Sequence, residues 1–239
     1  MTDFRTGEVL LIHKPLKWTS FQVVNKMKWL IKNHPSLILD GKKVQPKIGH
    51  AGTLDPLATG LLIVCTGKQT KNIESYQAQE KEYTGTFYIG ATTACFDLEK
   101  EIDATFATEH ITDALIKETT KQFTGTIQQT PPLYSAIKIG GKRAYDIARA
   151  GETAEIKPKE ITISIFEITR IALPEVAFRV VCSKGTYIRS LARDFGLALN
   201  SGAHLIALCR TRIGEYKLSD AMSIEDFEKS LKSDITTNI

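Results

Sequence analysis

The sequence predicts an α+β fold. Apolar runs of strand length and amphipathic stretches of helix length are interspersed along 239 residues, 42% hydrophobic and 24% charged. Those proportions are ordinary for a chain with a sizeable core. The links between the stretches are mostly of hairpin type, with few clean strand–helix–strand repeats, which disfavours a doubly wound parallel sheet. No internal repeat, low-complexity tract or linker divides the chain.

In order, residues 9–13 (Val-Leu-Leu-Ile-His) read as a buried strand that Pro15 ends. Ser20 is placed to cap a helix through Lys32, with Phe21, Val24, Met27, Leu30 and Ile31 on one face. Residues 33–47 carry prolines, a glycine and lysines and read as a loop; residues 61–65 are another buried strand, and residues 83–89 alternate like a half-exposed one. Thr112 opens a helix, with Ile111 and Ile116 as a staple across the cap and Gly125 as the stop. Residues 161–171 and 176–182 are strands with Pro174 in the turn between them, a hairpin. Thr186 caps a helix through Leu199, its apolar stripe being Ile188, Leu191, Ala192 and Phe195. Residues 205–216 return as strand, and Ser223-Ile-Glu-Asp226 opens a last short helix in the manner of a capping box.

The net charge is +4, from 31 Lys+Arg against 27 Asp+Glu. This mildly basic balance permits a nucleic-acid partner without demanding one, because clustering matters more than the sum. The four cysteines, Cys65, Cys95, Cys182 and Cys209, make no C-x-x-C pair, so there is no zinc signature, and they read as reduced thiols. No basic-then-apolar leader is visible, and no apolar run approaches the roughly 20 residues that span a bilayer. The expectation is a soluble cytoplasmic monomer with no membrane partner.

The loop Gly49-His-Ala-Gly-Thr-Leu-Asp55-Pro-Leu-Ala-Thr-Gly60 carries the first chemical signal. Pro56 pushes Asp55 away from helical backbone, and the glycines let the loop bend sharply and let other backbone approach. The acid is thereby displayed before a buried strand, although an Asp-Pro pair also simply begins turns. Arg189 falls in the first turn of its helix, where a cation opposes the dipole. Its presence there suggests either a solvated surface arginine or one with a carboxylate partner elsewhere. Held against Asp55, the guanidinium would favour the charged acid and fix its orientation. Tyr83, Tyr145 and Tyr187 each lie within two residues of a Gly, Lys or Arg, and Tyr134 four before Lys138. A tyrosine face can stack on an unpaired base while nearby cations hold phosphates, although a core tyrosine is the more frequent case for any one of them. Lys42, Lys43 and Lys47, then Lys68 and Lys71, then Lys138, Lys142, Arg143 and Arg149 form cationic groups. His50 has no second ligand at metal spacing and reads as a packed or hydrogen-bonding histidine.

Several blocks together resemble the TruB-type tRNA pseudouridine synthases. They are LLIHKP at residues 10–15, GHAGTLDPLATGLL at 49–62, KEY at 81–83, PPLYSAIKIGGKRAYDIARAG at 131–151, CSKGTYIRSLARDFG at 182–196 and GAHLIALCRTRIGEY at 202–216. In all, about residues 7–220 match in the family's order. The resemblance implies a mixed, mainly antiparallel central sheet flanked by helices and loops. It implies isomerisation of uridine 55 in the T-loop of tRNA, with the T-stem-loop as partner and neither metal nor organic cofactor. Asp55 would be the catalytic aspartate, Arg189 its ion-pair partner, and Tyr83 the aromatic packed on the target base. His50, Tyr187 and Leu208 would line the nucleotide pocket, and Asp97 would lie near the RNA. The chain departs from the family pattern at Ala94, Cys95 and Lys100, which weakens the reading at Asp97. Residues 33–47 are longer than in many relatives and carry extra lysines that suit an RNA clamp. Because the chain ends soon after the last block, the expectation is one catalytic domain over residues 1–239, with 221–239 as a short helix and tail and no separate C-terminal RNA-binding domain.

Overall fold

The computed structural model describes residues 2–135 and 137–236, without the side chains of Lys138, Ile139, Arg143, Ala148 and residues 233–236. Strand β1 (Val9–Lys14) leads to helix α1 (Ser20–Ile31), a 3-10 turn at Pro35–Leu37, and a small hairpin of β2 (Ile38–Leu39) and β3 (Lys42–Lys43). Then come β4 (Ile48–His50), the Asp55 loop, β5 (Ala58–Thr66), a 3-10 segment at Gly67–Asn72 and α2 (Ile73–Ala78). Strands β6 (Lys81–Ile89), β7 (Ala91–Thr93) and β8 (Ile102–Thr105) precede α3 (Asp113–Thr119), β9 (Gly125–Gln129), β10 (Lys138–Ile139), β11 (Lys142–Arg143) and α4 (Ala144–Arg149). The long hairpin of β12 (Lys159–Ala172) and β13 (Glu175–Cys182) follows, then α5 (Ile188–Ala198), β14 (Ala203–Ile213), β15 (Tyr216–Lys217) and α6 (Ile224–Thr236). The α+β prediction holds. The ladders of β1 with β5, β4 with β5, β9 with β12, β12 with β13 and β14 with β15 are antiparallel, and Ile12 with Met222 and Asp97 with Leu205 form isolated parallel bridges.

The chain packs as two compact units: Met1–Lys81 with Cys209–Ile239, and Glu82–Leu208. In the first, β1 runs along β5 from Val9 opposite Cys65 to Lys14 opposite Gly60, and β4 pairs β5 from Ile48 opposite Thr66 to His50 opposite Val64. Strand β5 is buried on both faces. Leu62 and Val64 join Ile12, Met27, Ile31 and Phe227 beneath α1 and α6, while Leu61, Ile63 and Cys65 pack with Ala51 and Ile213. Alternate residues of a strand point to opposite faces, so burial on both sides reads in sequence as an unbroken apolar run.

In the second unit β12 lies between β13 and β9, with Phe166 opposite Val180 and Ile161 opposite Ile127. Its core is aromatic: Phe87 stacks on Phe178 with ring centroids 4.1 Å apart, and Phe166 and Phe195 pack around them. Helix α5 closes this core with Ile188, Leu191, Ala192 and Phe195, the stripe that the sequence predicts.

Several boundaries differ from expectation for local reasons. Thr19, not Ser20, caps α1: its side chain accepts from the Gln22 N–H while the Gln22 side chain accepts from Thr19 N–H, a reciprocal capping box. The helix therefore starts with Ser20 facing inward, Val23 joins the buried face, and Phe21 is left 67% exposed. At α5 the cap is Tyr187, with no side-chain cap; Thr186 instead donates its hydroxyl to Ser183 O. Residues 33–47 hold the 3-10 turn and the β2–β3 hairpin rather than plain loop. Helix α3 does start after Thr112, whose hydroxyl accepts from Leu115 N–H, but it gives way to a 3-10 turn at Thr120–Phe123 before Gly125 opens β9 at φ +99°. The strand expected over 205–216 turns at Gly214, φ +54°, into the β14–β15 hairpin.

Candidate active site

The Asp55 loop is held by buried donors that grip its main chain. Ala51 N–H extends the β4 ladder to Ile63 O at 2.9 Å, after which Gly52 turns the chain at φ +94°. Arg210, 1% exposed on β14, donates from Nε to Leu61 O (2.9 Å) and from a terminal nitrogen to Gly52 O (3.1 Å). Gly60 is needed for that approach, because at φ +110° a Cβ would meet Arg210 O at 2.3 Å. Ser20, buried on α1, accepts from Leu54 N–H (2.8 Å) and donates to Leu54 O (3.2 Å). Just beyond the acid, Pro56 O accepts from Lys17 N–H at 2.8 Å, and Ala58 N–H closes the turn onto Asp55 O at 3.1 Å.

Lys14 supplies the remaining grip. Its side chain is fully buried, and Nζ donates to Trp18 O (2.6 Å), Pro15 O (2.9 Å) and Pro56 O (3.4 Å). Burial pulls its pKa down to about 8 and Arg210 adds to that, while the Asp55 carboxylate acts in the opposite direction. A cation is thus fixed behind the half-buried Asp55. His50, at the end of β4, is half-buried with its Nδ1 lacking a hydrogen-bond partner among the described residues. Burial, then Arg210, disfavours its protonated form, against the Gly52 backbone.

The second unit builds a separate arrangement around Arg189. Gln129, buried at the end of β9, donates to Tyr187 O (3.1 Å) and accepts from Tyr187 N–H (2.8 Å), replacing the missing side-chain cap of α5. Ser190 and Arg193 both donate to Thr130 O. Arg189 points into the protein at 6% exposure, donating to Tyr134 O (3.0 Å) and Cys95 O (3.3 Å), with Nε 3.5 Å from Asp97 Oδ2. Asp97 is itself 4% exposed, and its other oxygen accepts from the Cys95 thiol (2.9 Å) and Glu99 N–H (3.0 Å). Phe96 between them holds a left-handed φ of 64°, an uncommon conformation for a bulky residue, and Arg193 stacks over its ring.

Of the residues singled out in the sequence, Asp55 and His50 belong to the first unit, and Tyr83, Asp97, Tyr187, Arg189 and Leu208 to the second. Arg189 does have a carboxylate partner within its own unit. Asp97, expected beside RNA, is a buried carboxylate engaged with that arginine. Tyr83 and Leu208 are half-buried against the second core, and Tyr187 is half-buried at the head of α5. Tyr134 and Tyr145 pack edge to face at 6.1 Å, and Arg149 stacks over Tyr145. The side chains of Lys138 and Arg143 lie outside the described residues. Lys14, Ser20 and Arg210 were missed, although the adjoining Lys14-Pro15 and the arginine within an apolar strand were available signals.

Comparison with known proteins decides the family. The model for the TruB family pseudouridylate synthase N-terminal domain matches residues 40–188, and that for the tRNA pseudouridylate synthase B C-terminal domain matches residues 189–236. The chain belongs to the TruB family. It is 64% identical over 230 residues to tRNA pseudouridine synthase B of Flavobacterium johnsoniae, covering 96% of this chain and 98% of that one. It is 57% identical over 229 residues to the protein of that name from Phocaeicola vulgatus, covering 96% and 95%. Among solved structures it resembles a chain of a Cbf5–Nop10–Gar1 complex, with TM-score 0.70, 29% identity and 95% coverage of this chain; it spans only 55% of that chain. Pseudouridine synthases rearrange uridine without net gain or loss of atoms, so this TruB-family chain is an isomerase.

Proposed function

We propose that this TruB-family enzyme converts uridine 55 in the T-loop of tRNA to pseudouridine, with Asp55 as the catalytic residue. The observation that carries the reading is the grip on the Asp55 loop: buried Lys14, Ser20 and Arg210 all hold main chain on either side of one half-buried carboxylate. A turn that served only to reverse the chain has no need of three buried polar side chains. The tRNA substrate is supported by the relatives named tRNA pseudouridine synthase B, one of which this chain covers over 98% of its length.

The reaction breaks the bond from N1 to C1′, turns the uracil, and joins C5 to C1′; C5 gives up a proton and N1 acquires one. An ionised aspartate can add covalently to the nucleotide or take a proton from the sugar as the bond breaks. The target must first leave the base stack, so a half-buried tyrosine and leucine suit the roles assigned to Tyr83, Tyr187 and Leu208 against the extruded base. His50, half-buried at the end of β4 next to the loop, suits the pocket role assigned to it. Arg189 contributes its charge from a seat that Asp97 holds in place, which makes Asp97 a positioning residue.

The test is pseudouridine mapping in a T-stem-loop RNA with wild type and Asp55→Asn. The variant is expected to stay folded and bind the RNA while forming no pseudouridine. Appreciable turnover by it would overturn the assignment of Asp55, and modification at another position would overturn the choice of uridine.

A further inference from the structure

At the end of β5 remote from Asp55, the first unit contains a cleft of about 250 Å³ lined by Phe4, Leu37, Val44 and Pro46 together with Arg5, Lys47, Lys68 and Lys71. None of its lining residues is acidic. Lys47, Lys68 and Lys71 are exposed and make no salt bridge among the described residues, whereas Phe4, Leu37 and Pro46 are buried. The 3-10 segment at Gly67–Asn72 brings two of the cations together, because residues three apart in such a helix eclipse one another. That places Lys68 and Lys71 on one side.

The cleft is a built feature rather than a chance meeting of surface side chains. Gly67 N–H donates to Lys47 O at 2.8 Å and Lys68 N–H to Thr6 O at 3.1 Å, tying three chain segments together. Gly67 itself sits at φ +51°, where a Cβ would meet Arg5 O at 2.3 Å, so the segments approach as closely as a glycine allows. Val44 N–H is pinned to Leu37 O at 2.8 Å, which fixes the hairpin side of the cleft. Apolar walls beneath charges of one sign focus their field outward and favour a polyanion.

We propose that this cleft is an auxiliary site for the sugar-phosphate backbone of the substrate RNA, engaging phosphates of a stem rather than the target nucleotide. It rests on the reading of the protein as an RNA-modifying enzyme. The nine residues of β5 separate the cleft from the Asp55 turn, roughly 25 Å at strand rise. Phosphates held there lie beyond any nucleotide at the acid, so the site contributes to affinity and leaves the chemical step alone.

Equilibrium binding of a whole tRNA transcript is measured against salt for wild type, for the triple variant Lys47→Ala, Lys68→Ala, Lys71→Ala, and for the triple Lys→Arg variant. A charge-matched control replaces Lys28, Lys117 and Lys217. The alanine variant should bind about tenfold more weakly at moderate salt, and the slope of log affinity against log salt should shrink by roughly 2–3. KM should rise with kcat unchanged, arginine should restore binding, and the control should match wild type. An unchanged affinity and salt slope in the alanine variant overturns the proposal, as does an equal loss in the control. Pseudouridine formation by wild type in the same samples tests the enzymatic reading separately, because the binding slopes do not depend on turnover.

Discussion

Removing the Asp97 carboxylate should unsettle the second unit far more than an average substitution. Its Oδ2 lies 3.5 Å from Arg189 Nε, and the two side chains are 7% and 6% exposed. Stripping one partner from a buried ion pair costs about 3–5 kcal/mol, because the other charge stays buried with less compensation. Asp97→Ala also leaves the Cys95 thiol and Glu99 N–H without their acceptor, so the upper end of that range is expected. Asp97→Asn keeps one acceptor oxygen for Cys95 and Glu99 but gives up the charge and turns the group facing Arg189 into a donor, and should cost less than Asp97→Ala, roughly 1–3 kcal/mol. Urea unfolding followed by circular dichroism, with amide exchange across α5 and β13, reads the second unit. Both tryptophans, Trp18 and Trp29, belong to the first, so their fluorescence serves as an internal reference and should move less. If Asp97→Ala costs under about 1 kcal/mol, or the loss appears only in tryptophan fluorescence, the pair does not have the buried role argued for it.

The Asp55 loop yields two further predictions. Gly60→Ala should unfold the chain or cost several kcal/mol, since its Cβ would meet Arg210 O at 2.3 Å, whereas Gly125→Ala, at φ +99° with nothing within 4 Å, should cost only about 1–2 kcal/mol of backbone strain. Thermal unfolding distinguishes them, and equal losses would count against the close approach at Gly60. Lys14 has a folded pKa of about 8 against an ordinary 10.5. Between these values the unfolded chain holds more protons, so the stability contribution rises with pH across that window and the penalty is fully present below pH 8. The change is worth at most about 3 kcal/mol; Lys14→Met should flatten this part of the stability–pH profile, and an unaltered profile would refute it.

How far the fold was legible depended on what each segment does. The β5 run could be read because both its faces are buried, leaving no polar alternation to confuse it. Helix α5 showed its inner stripe because one face meets an aromatic core. Starts and stops were harder. Thr19 and Ser20 are adjacent hydroxyl residues, either able to cap, and only the reciprocal bond with Gln22 and the call of Leu54 on Ser20 separate them. At the candidate site, Asp55 stood out through its proline and glycines. Lys14 and Arg210 did not, because Pro15 and the apolar neighbours of Arg210 hint at burial without showing that either cation grips backbone carbonyls. The Arg189 helix position did signal a carboxylate, but spacing along the chain could not reveal that Asp97 stands before it.

Lys14, Ser20 and Arg210 all bind carbonyl or amide groups of the main chain on either side of Asp55. Much of the mounting of position 55 is therefore made by backbone, with Lys14 also feeling the charge of the carboxylate. A different reactive group, such as a cysteine or a longer acid, would be delivered along the same path of backbone, and a longer acid would keep the negative charge that Lys14 faces. The loop behaves as a socket whose occupant can be exchanged, which suits it to trapping reaction intermediates and to re-engineering the reaction.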